Sequence, residues 1–267
     1  MTLFFKKKKN DSVFLHKGDS LSLMKDFPNK SFDMIFADPP YFLSNNGITC
    51  HAGEMVSVNK GGWDKPTGLK EIHSFNMEWL SLCKDNLKDD GTIFVSGTYH
   101  NIYSIGFALQ SLDFKILNDI SWFKVNPPPN LSCRFFTHST EQIIWAKKSA
   151  KSKHKFNYAL MKQIGDPNPG KQMLSLWRIT PPKKEEKKFG KHPTQKPLKL
   201  LERIILASTD ENDLILDPFL GSGTTAVASI LNNRRFIGID SDEGYCNLAK
   251  LRVEEAYSSI SKSIKFV

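Results

Sequence analysis

Short apolar runs alternate with helix-length amphipathic segments along most of this chain. That alternation restricts it to an α/β domain built on a largely parallel sheet. Seven runs read as strands: Val13 to His16, Met34 to Ala37, Thr92 to Ser96, Lys115 to Phe123, Gln142 to Ala146, Leu214 to Leu216 and Phe236 to Ile239. The clearest helices run from Phe75 to Leu87, Leu198 to Ser208, Thr224 to Leu231 and Asp242 to Tyr257. Phe75, Trp79, Leu82 and Leu87 share one helical face, and Leu200, Leu201, Ile204, Ile205 and Leu206 form a wider stripe; both sets are expected in the core. At 267 residues the chain suits a single large domain with insertions.

Two segments break the alternation. Residues 44–68 carry five Gly among Asn, Ser and Pro, and are expected to form a mobile loop. Residues 149–191 are rich in Lys and Pro and read as an inserted region. Lys plus Arg number 37 against 28 Asp plus Glu, a net charge of +9. Residues 147–191 concentrate this excess, with twelve Lys and Arg178 against Asp166, Glu185 and Glu186. A near-neutral body with one basic segment suits an acidic partner such as nucleic acid, and it also suits a solvated, solubilising loop.

No run approaches the roughly 20 apolar residues of a membrane-spanning helix. The opening MTLFFKKKKN places its Phe pair before its Lys, the reverse of a secretory signal, so Lys6 to Lys9 read as a solvated or DNA-grazing tail. Cys50, Cys83, Cys133 and Cys246 are scattered, which suggests neither a metal site nor a redox pair and fits a reducing cytoplasm.

Three strings carry chemistry. Asp38-Pro39-Pro40-Tyr41 follows the apolar run Met34 to Ala37 and so lies just past a strand's C-terminal end, where open α/β sheets bind ligands. The two prolines stiffen the turn and free the carbonyls of Asp38 and Pro39 as acceptors. Carboxylate, carbonyl and the flat face of Tyr41 together suit a planar base bearing an –NH₂ group; a rigid turn capped by Asp38 is the plainer alternative. The second string, Asp217-Pro218-Phe219-Leu220-Gly221-Ser222-Gly223-Thr224-Thr225, also follows an apolar run and opens a helix. Its glycines permit a tight turn and close backbone approach to a ligand. It lacks the third glycine of a dinucleotide fingerprint and the Gly-Lys-Ser/Thr of a phosphate loop, which disfavours NAD and ATP. Third, Asp240 ends the run Phe236 to Ile239 and is placed either to accept hydrogen bonds from both hydroxyls of a ribose or to cap the next helix.

With these residues in place, the chain resembles the amino-methylating DNA methyltransferases that use S-adenosyl-L-methionine. Asp38-Pro39-Pro40-Tyr41 matches their catalytic motif, and Phe219-Leu220-Gly221-Ser222-Gly223 matches their F-x-G-x-G cofactor motif. The catalytic motif comes first and the basic segment lies between the two, as in the β class. The resemblance implies a Rossmann-like, permuted methyltransferase fold: a seven-stranded, mostly parallel sheet with helices on both faces, forming one catalytic domain over residues 1–267. It implies Asp38, Pro39, Pro40 and Tyr41 as the catalytic set. As cofactor contacts it implies Asp19, Asp38, Thr194, Lys196, Asp217, Phe219, Gly221, Ser222, Gly223, Thr224 and Asp240. Within these, Gly190 to Pro197 resembles the segment that helps hold the methionine end, and Asp19 the acidic position that reaches the cofactor's adenine. Residues 149–191 become the target-recognition region. Arg134, Arg178, Lys183, Lys184, Lys187 and Lys188 are candidate DNA contacts.

Residues 36–45, 130–141 and 200–209 are similar to the second adenine methyltransferase of GATC restriction–modification systems. That similarity implies N6-adenine methylation in GATC, acceptance of single-stranded DNA, a homodimer as one possible assembly, and a genetically paired restriction endonuclease without direct contact. Carbon-5 cytosine chemistry is disfavoured, because none of the four Cys follows a Pro. Cytosine N4 methylation and a catalytically silent DNA-binding homologue are the alternatives.

Overall fold

The computed structural model describes residues 3–7, 13–42, 48–51, 54–57, 68–127, 129–165 and 168–264. Five parallel strands form the heart of one sheet, in the spatial order β2 (Val13–Lys17), β11 (Arg235–Asp240), β10 (Leu214–Asp217), β3 (Phe32–Ala37) and β6 (Leu87–Gly97). Next to β6, β8 (Thr140–Lys147) runs antiparallel, and β7 (Lys115–Phe123) runs antiparallel to β8. These are the seven strands expected from the apolar runs.

The sheet nevertheless has nine strands, not seven. At one edge β1 (Leu3–Lys7) pairs antiparallel with β2. Its lysines suggested a solvated tail, yet an edge strand tolerates Lys on its open side; Lys6 lies over the Phe14 ring, and Phe5 packs against the core. At the other edge β9 (Leu176–Arg178), from inside the basic segment, pairs parallel with β7 and buries Trp177. A strand this short carries too little periodicity to be read from sequence. Most of 44–68 lies outside the described residues; within it, β4 (Ile48–His51) and β5 (Glu54–Ser57) form a separate antiparallel hairpin.

Side chains alternate between the faces of the sheet, as the two-residue period of a strand requires. Met34 and Phe36 enter one core, and Ile35 and Ala37 enter the other; Phe94 opposes Ile93 and Val95 in the same way. Phe32 joins Ile35 and Ala37 because the pairing with β6 shifts register between Phe32 and Met34. Helices α5 (Leu198–Ser208), α6 (Thr224–Leu231) and α7 (Glu243–Ile264) cover the first face. Helices α1 (Ser20–Lys25), α2 (Leu69–Asn86) and α3 (Ile102–Ser111) cover the second. A short α4 (Tyr158–Ile164) lies in the basic segment. Helix α2 starts six residues earlier than its apolar stripe, because its first turns are largely exposed and carry no pattern.

The chain leaves β3 toward β6 on one side and leaves β10 toward β11 on the other, with α2 and α6 on opposite faces. This reversal opens a crevice beyond the C-terminal ends of β3 and β10, the usual ligand position in such sheets.

Candidate active site

Four adjacent parallel strands each deliver a carboxylate to this crevice. Asp240 and Asp217 end β11 and β10, Asp38 follows β3 directly, and Asp19 lies two residues beyond β2. All four line one cavity of about 260 Å³. Pro39, Pro40, Tyr41, Thr194, Lys196, Phe219, Gly221, Ser222 and Thr224 line it as well. Thus the two halves of the sequence pattern, more than 170 residues apart, meet in a single space. Of the candidates for this cavity only Gly223 stands behind the lining.

At the Asp38–Tyr41 turn both carboxylate oxygens of Asp38 are engaged. The Tyr41 hydroxyl donates to Oδ1 at 2.5 Å, and the Lys196 ammonium donates to Oδ2 at 2.5 Å. Lys196 Nζ also donates to the Tyr41 hydroxyl at 2.9 Å. Asn101 Nδ2 donates to the Pro40 carbonyl at 3.3 Å and anchors the turn to α3. Burial pushes the Asp38 carboxyl up from its ordinary value, and the Lys196 charge opposes that rise. Burial, reinforced by the Asp38 charge, likewise raises Tyr41, so its phenol keeps its proton.

The glycine loop is built by its two positive-φ residues. Gly221 has φ +50°, and a Cβ there would approach His192 Nε2 at 3.1 Å. Gly223 has φ +73°, and a Cβ there would sit 2.7 Å from the Ala249 Cβ of α7, so only glycine lets the loop pack this closely. Asp217 Oδ1 accepts from the Phe219 N–H at 3.0 Å, and Oδ2 accepts from the Thr225 hydroxyl at 2.6 Å. Burial among neutral donors pushes Asp217 up to about 7.

Asp240 accepts from the Gly221 N–H and the Asp242 N–H, each at 2.8 Å; burial raises it to about 6 despite these bonds. The cap of α7 is Asp242, which accepts from the Tyr245 N–H at 2.9 Å, so Asp240 is left to face the cavity. Asp19 does cap a helix: it accepts from the Ser22 N–H and hydroxyl at 2.9 and 2.8 Å while lining the cavity.

Among the lining residues, Ser20, Leu21 and Tyr245 carried no sequence signal of their own. Phe75 was read only as a core residue of α2. His192 and Gln195 stood within the matched Gly190 to Pro197 string, and the His192 ring packs edge-on against Tyr245 at 4.3 Å. Arg252 was also missed. From α7 its Nη1 donates to the Ser222 carbonyl at 2.7 Å, the Ser222 hydroxyl at 3.0 Å and the Thr224 hydroxyl at 2.9 Å. It braces the loop from behind, and burial lowers its guanidinium to about 10. The spacing of Arg252 along α7 reads only as one more helix charge.

The proposed DNA contacts do not line the cavity. Arg134 is exposed in the segment between β7 and β8, and the Arg178 guanidinium lies 5.6 Å from the Phe123 ring. Lys183, Lys184 and Lys188 flank, and Lys187 ends, a 3-10 turn (Glu185–Lys187) tied to the body through Glu186, which accepts from the Leu198 N–H at 2.8 Å. Lys188 is ion-paired with Glu255. The basic segment also divides. Lys148 and Lys155 meet Asp89 and Asp210, and the Lys153 N–H meets Asp90, at the end of the sheet away from the cavity.

Fold, paired turns and shared cavity define an enzyme class. The chain belongs to the N6/N4 family of DNA methylases, whose family model matches residues 32–251. The resemblance carried by Asp38–Tyr41 and Phe219–Gly223 therefore holds at the level of the family. Among individual proteins, the chain is 55% identical over 248 residues to the Type II methyltransferase M2.LlaDCHI of Lactococcus lactis subsp. cremoris, covering 92% of this chain and 91% of that protein. It is 55% identical over 247 residues to the Type II methyltransferase M2.DpnII of Streptococcus pneumoniae, with the same shares covered. The solved structure of the M1.HpyAVI–SAM complex matches with a TM-score of 0.68 at 30% identity, over 90% of this chain and 98% of that one.

Proposed function

We propose that this chain transfers a methyl group from S-adenosyl-L-methionine to the N6 amino group of adenine in DNA. The reading extends to GATC as the site, to single-stranded as well as double-stranded substrate, and to service as the second methyltransferase of a Type II restriction–modification system. One observation carries the chemistry: the Asp38 turn and the glycine loop with Asp240 share a single cavity. The names of the two Type II relatives support the system, and residues 36–45, 130–141 and 200–209 support the target.

The cavity suits the cofactor on its own chemistry. Four carboxylates face one ammonium, a net negative lining that favours a cationic centre. Asp240, which already accepts from the backbone N–H groups of Gly221, Ser241 and Asp242, would take the ribose hydroxyls on its remaining lone pairs. Asp19 would reach the adenine end, and Thr194, Ser222 and the Gly221 turn would hold the methionine end. When bound, S-adenosyl-L-methionine supplies an electrophilic methyl group on its sulfonium.

The protein's own part begins with access. Base pairing hides the amino group, so adenine must be flipped out at a cost of a few kcal/mol or taken from a single strand. Asp38 and the Pro39 carbonyl would accept the two N6 hydrogens, drawing the nitrogen lone pair out of the ring and toward the methyl group. Tyr41 offers its ring to the flipped base and its hydroxyl to Asp38. The nitrogen becomes acidic only after transfer, when Asp38 is within reach of the released proton. Residues 1–267 act as one catalytic domain; Lys183, Lys184 and Lys187 meet the DNA backbone, so binding should weaken steeply with salt, and Arg178 and Arg134 read base edges.

Transfer of labelled methyl groups to GATC oligonucleotides, single-stranded and duplex, tests this reading against RNA and peptide controls. Incorporation that depends on GATC and on DNA is the expected result. Labelling of cytosine, or of RNA or peptide in preference to DNA, would overturn it.

A further inference from the structure

The chemistry above gives no task to the buried ammonium of Lys196. Its side chain is 5% exposed, yet it touches Asp38 at 2.5 Å, the Tyr41 hydroxyl at 2.9 Å and the Thr194 carbonyl at 3.4 Å. Behind it lies Glu141 Oε2, 3.6 Å away, and the other Glu141 oxygen accepts from Lys124 Nζ at 2.5 Å. Charges therefore alternate in a line of four, from Asp38 through Lys196 and Glu141 to Lys124. They come from the turn after β3, the segment before α5, the start of β8 and the residue after β7. Isolated buried charges are costly, and alternation of this kind is what allows each to stay charged.

We propose that Lys196 is a positioning residue for methyl transfer: it holds Asp38 ionised and oriented, and Glu141, anchored by Lys124, sets how strongly it does so. This rests on the methyl-transfer reading and gives Lys196 a task other than holding the cofactor. The amino group of a base has hydrogens to donate, so Asp38 must be an acceptor. A protonated Asp38 would present an O–H of its own on one oxygen. Burial favours that protonated form, and the Lys196 charge works against it. Burial lowers Lys196 in turn, but the charges of Asp38 and Glu141 more than restore it. Glu141, a like charge, acts on Asp38 in the sense opposite to Lys196. The other titratable groups facing this point are Tyr41, from the same turn, and Asp217, from the end of β10.

The two partners should therefore move the acid limb of the reaction in opposite directions. Single-turnover methyl transfer to a GATC oligonucleotide, at saturating cofactor and DNA, is followed from about pH 5 to about pH 9. Lys196→Met should lower the plateau and raise the acid midpoint by about 1–3 pH units, the effect of losing an opposite charge at contact distance. Lys196→Arg should restore the midpoint toward wild type, and Glu141→Gln should lower it. An Asp217→Asn control removes that group's share of the limb, and calorimetry gives each variant's cofactor Kd. A Lys196→Met enzyme with weakened cofactor binding and an unmoved midpoint overturns the proposal. So does a Glu141→Gln midpoint that rises. If Lys196→Met does not fold, Glu141→Gln decides alone, and an unmoved midpoint overturns the proposal. A wild-type enzyme that methylates nothing would instead sink the methyl-transfer reading, and this proposal with it.

Discussion

Two Asp-Pro turns close neighbouring parallel strands and open into the same cavity, yet their carboxylates have different fates. Asp217 is consumed by its own loop: the N–H of Phe219, two residues on, and the Thr225 hydroxyl occupy its oxygens. Asp38 has Pro40 at that same second position, and proline has no N–H to give. Its oxygens go instead to Lys196 and Tyr41, which line the cavity with it. Pro40 thus does more than stiffen a turn. It removes the local N–H that Asp217 uses at the same position, and leaves the Asp38 oxygens to Tyr41 and Lys196.

The largest expected effect is at Asp38 itself. Asp38→Ala should lower single-turnover methyl transfer by roughly 100-fold or more, the scale of losing a group that stabilises the transition state, while DNA binding is largely retained. Asp217→Asn should do the reverse, weakening the loop and cofactor affinity more than the chemical step.

Next comes Tyr41. Its hydroxyl bonds both members of the Asp38–Lys196 pair, so Tyr41→Phe should cost about tenfold or more in kcat, given roughly 1.5–3 kcal/mol for hydrogen bonds to charged groups. A Tyr41→Phe enzyme with wild-type kcat would leave the ring alone as the contribution.

Pro40→Ala tests the comparison most sharply. It restores an N–H two residues beyond Asp38 and should lower kcat by several-fold, within the roughly 0.5–1.5 kcal/mol of one hydrogen bond. An unchanged kcat would mean that the missing N–H is irrelevant.

A separate effect, on stability rather than turnover, concerns pH. Burial lifts the folded-state value of Asp217 to about 7, well above an unfolded carboxyl near 3.9. The folded protein therefore holds this proton over that interval, and the contribution is full below pH ~4 and lost as pH rises through about 7. Without cofactor, Asp217→Asn should gain in thermal midpoint relative to wild type across that window. A difference that stays flat with pH would contradict the assignment.

Much of this was legible because strands and turns are local. The seven core strands follow from apolar runs, and the cavity's shape follows from two strings that each end a strand. The edges were not legible, since the lysines of β1 look like a solvated tail and β9 spans three residues in a Lys-rich and Pro-rich segment. Nor was the Lys196 contact, because its partner lies 158 residues away and the spacing of a charge says nothing of what it faces. Asp240 was ambiguous in sequence between ribose acceptor and helix cap; Asp242 takes the cap because it stands two residues closer to α7.

The central claim is that Asp38 presents the amino group of adenine for methylation. Nucleoside analysis of DNA from cells expressing the wild-type chain or Asp38→Ala tests it most directly. N6-methyladenine confined to GATC, and absent with Asp38→Ala, is the expected result. N4-methylcytosine in its place, or N6-methyladenine that persists with Asp38→Ala, would contradict it.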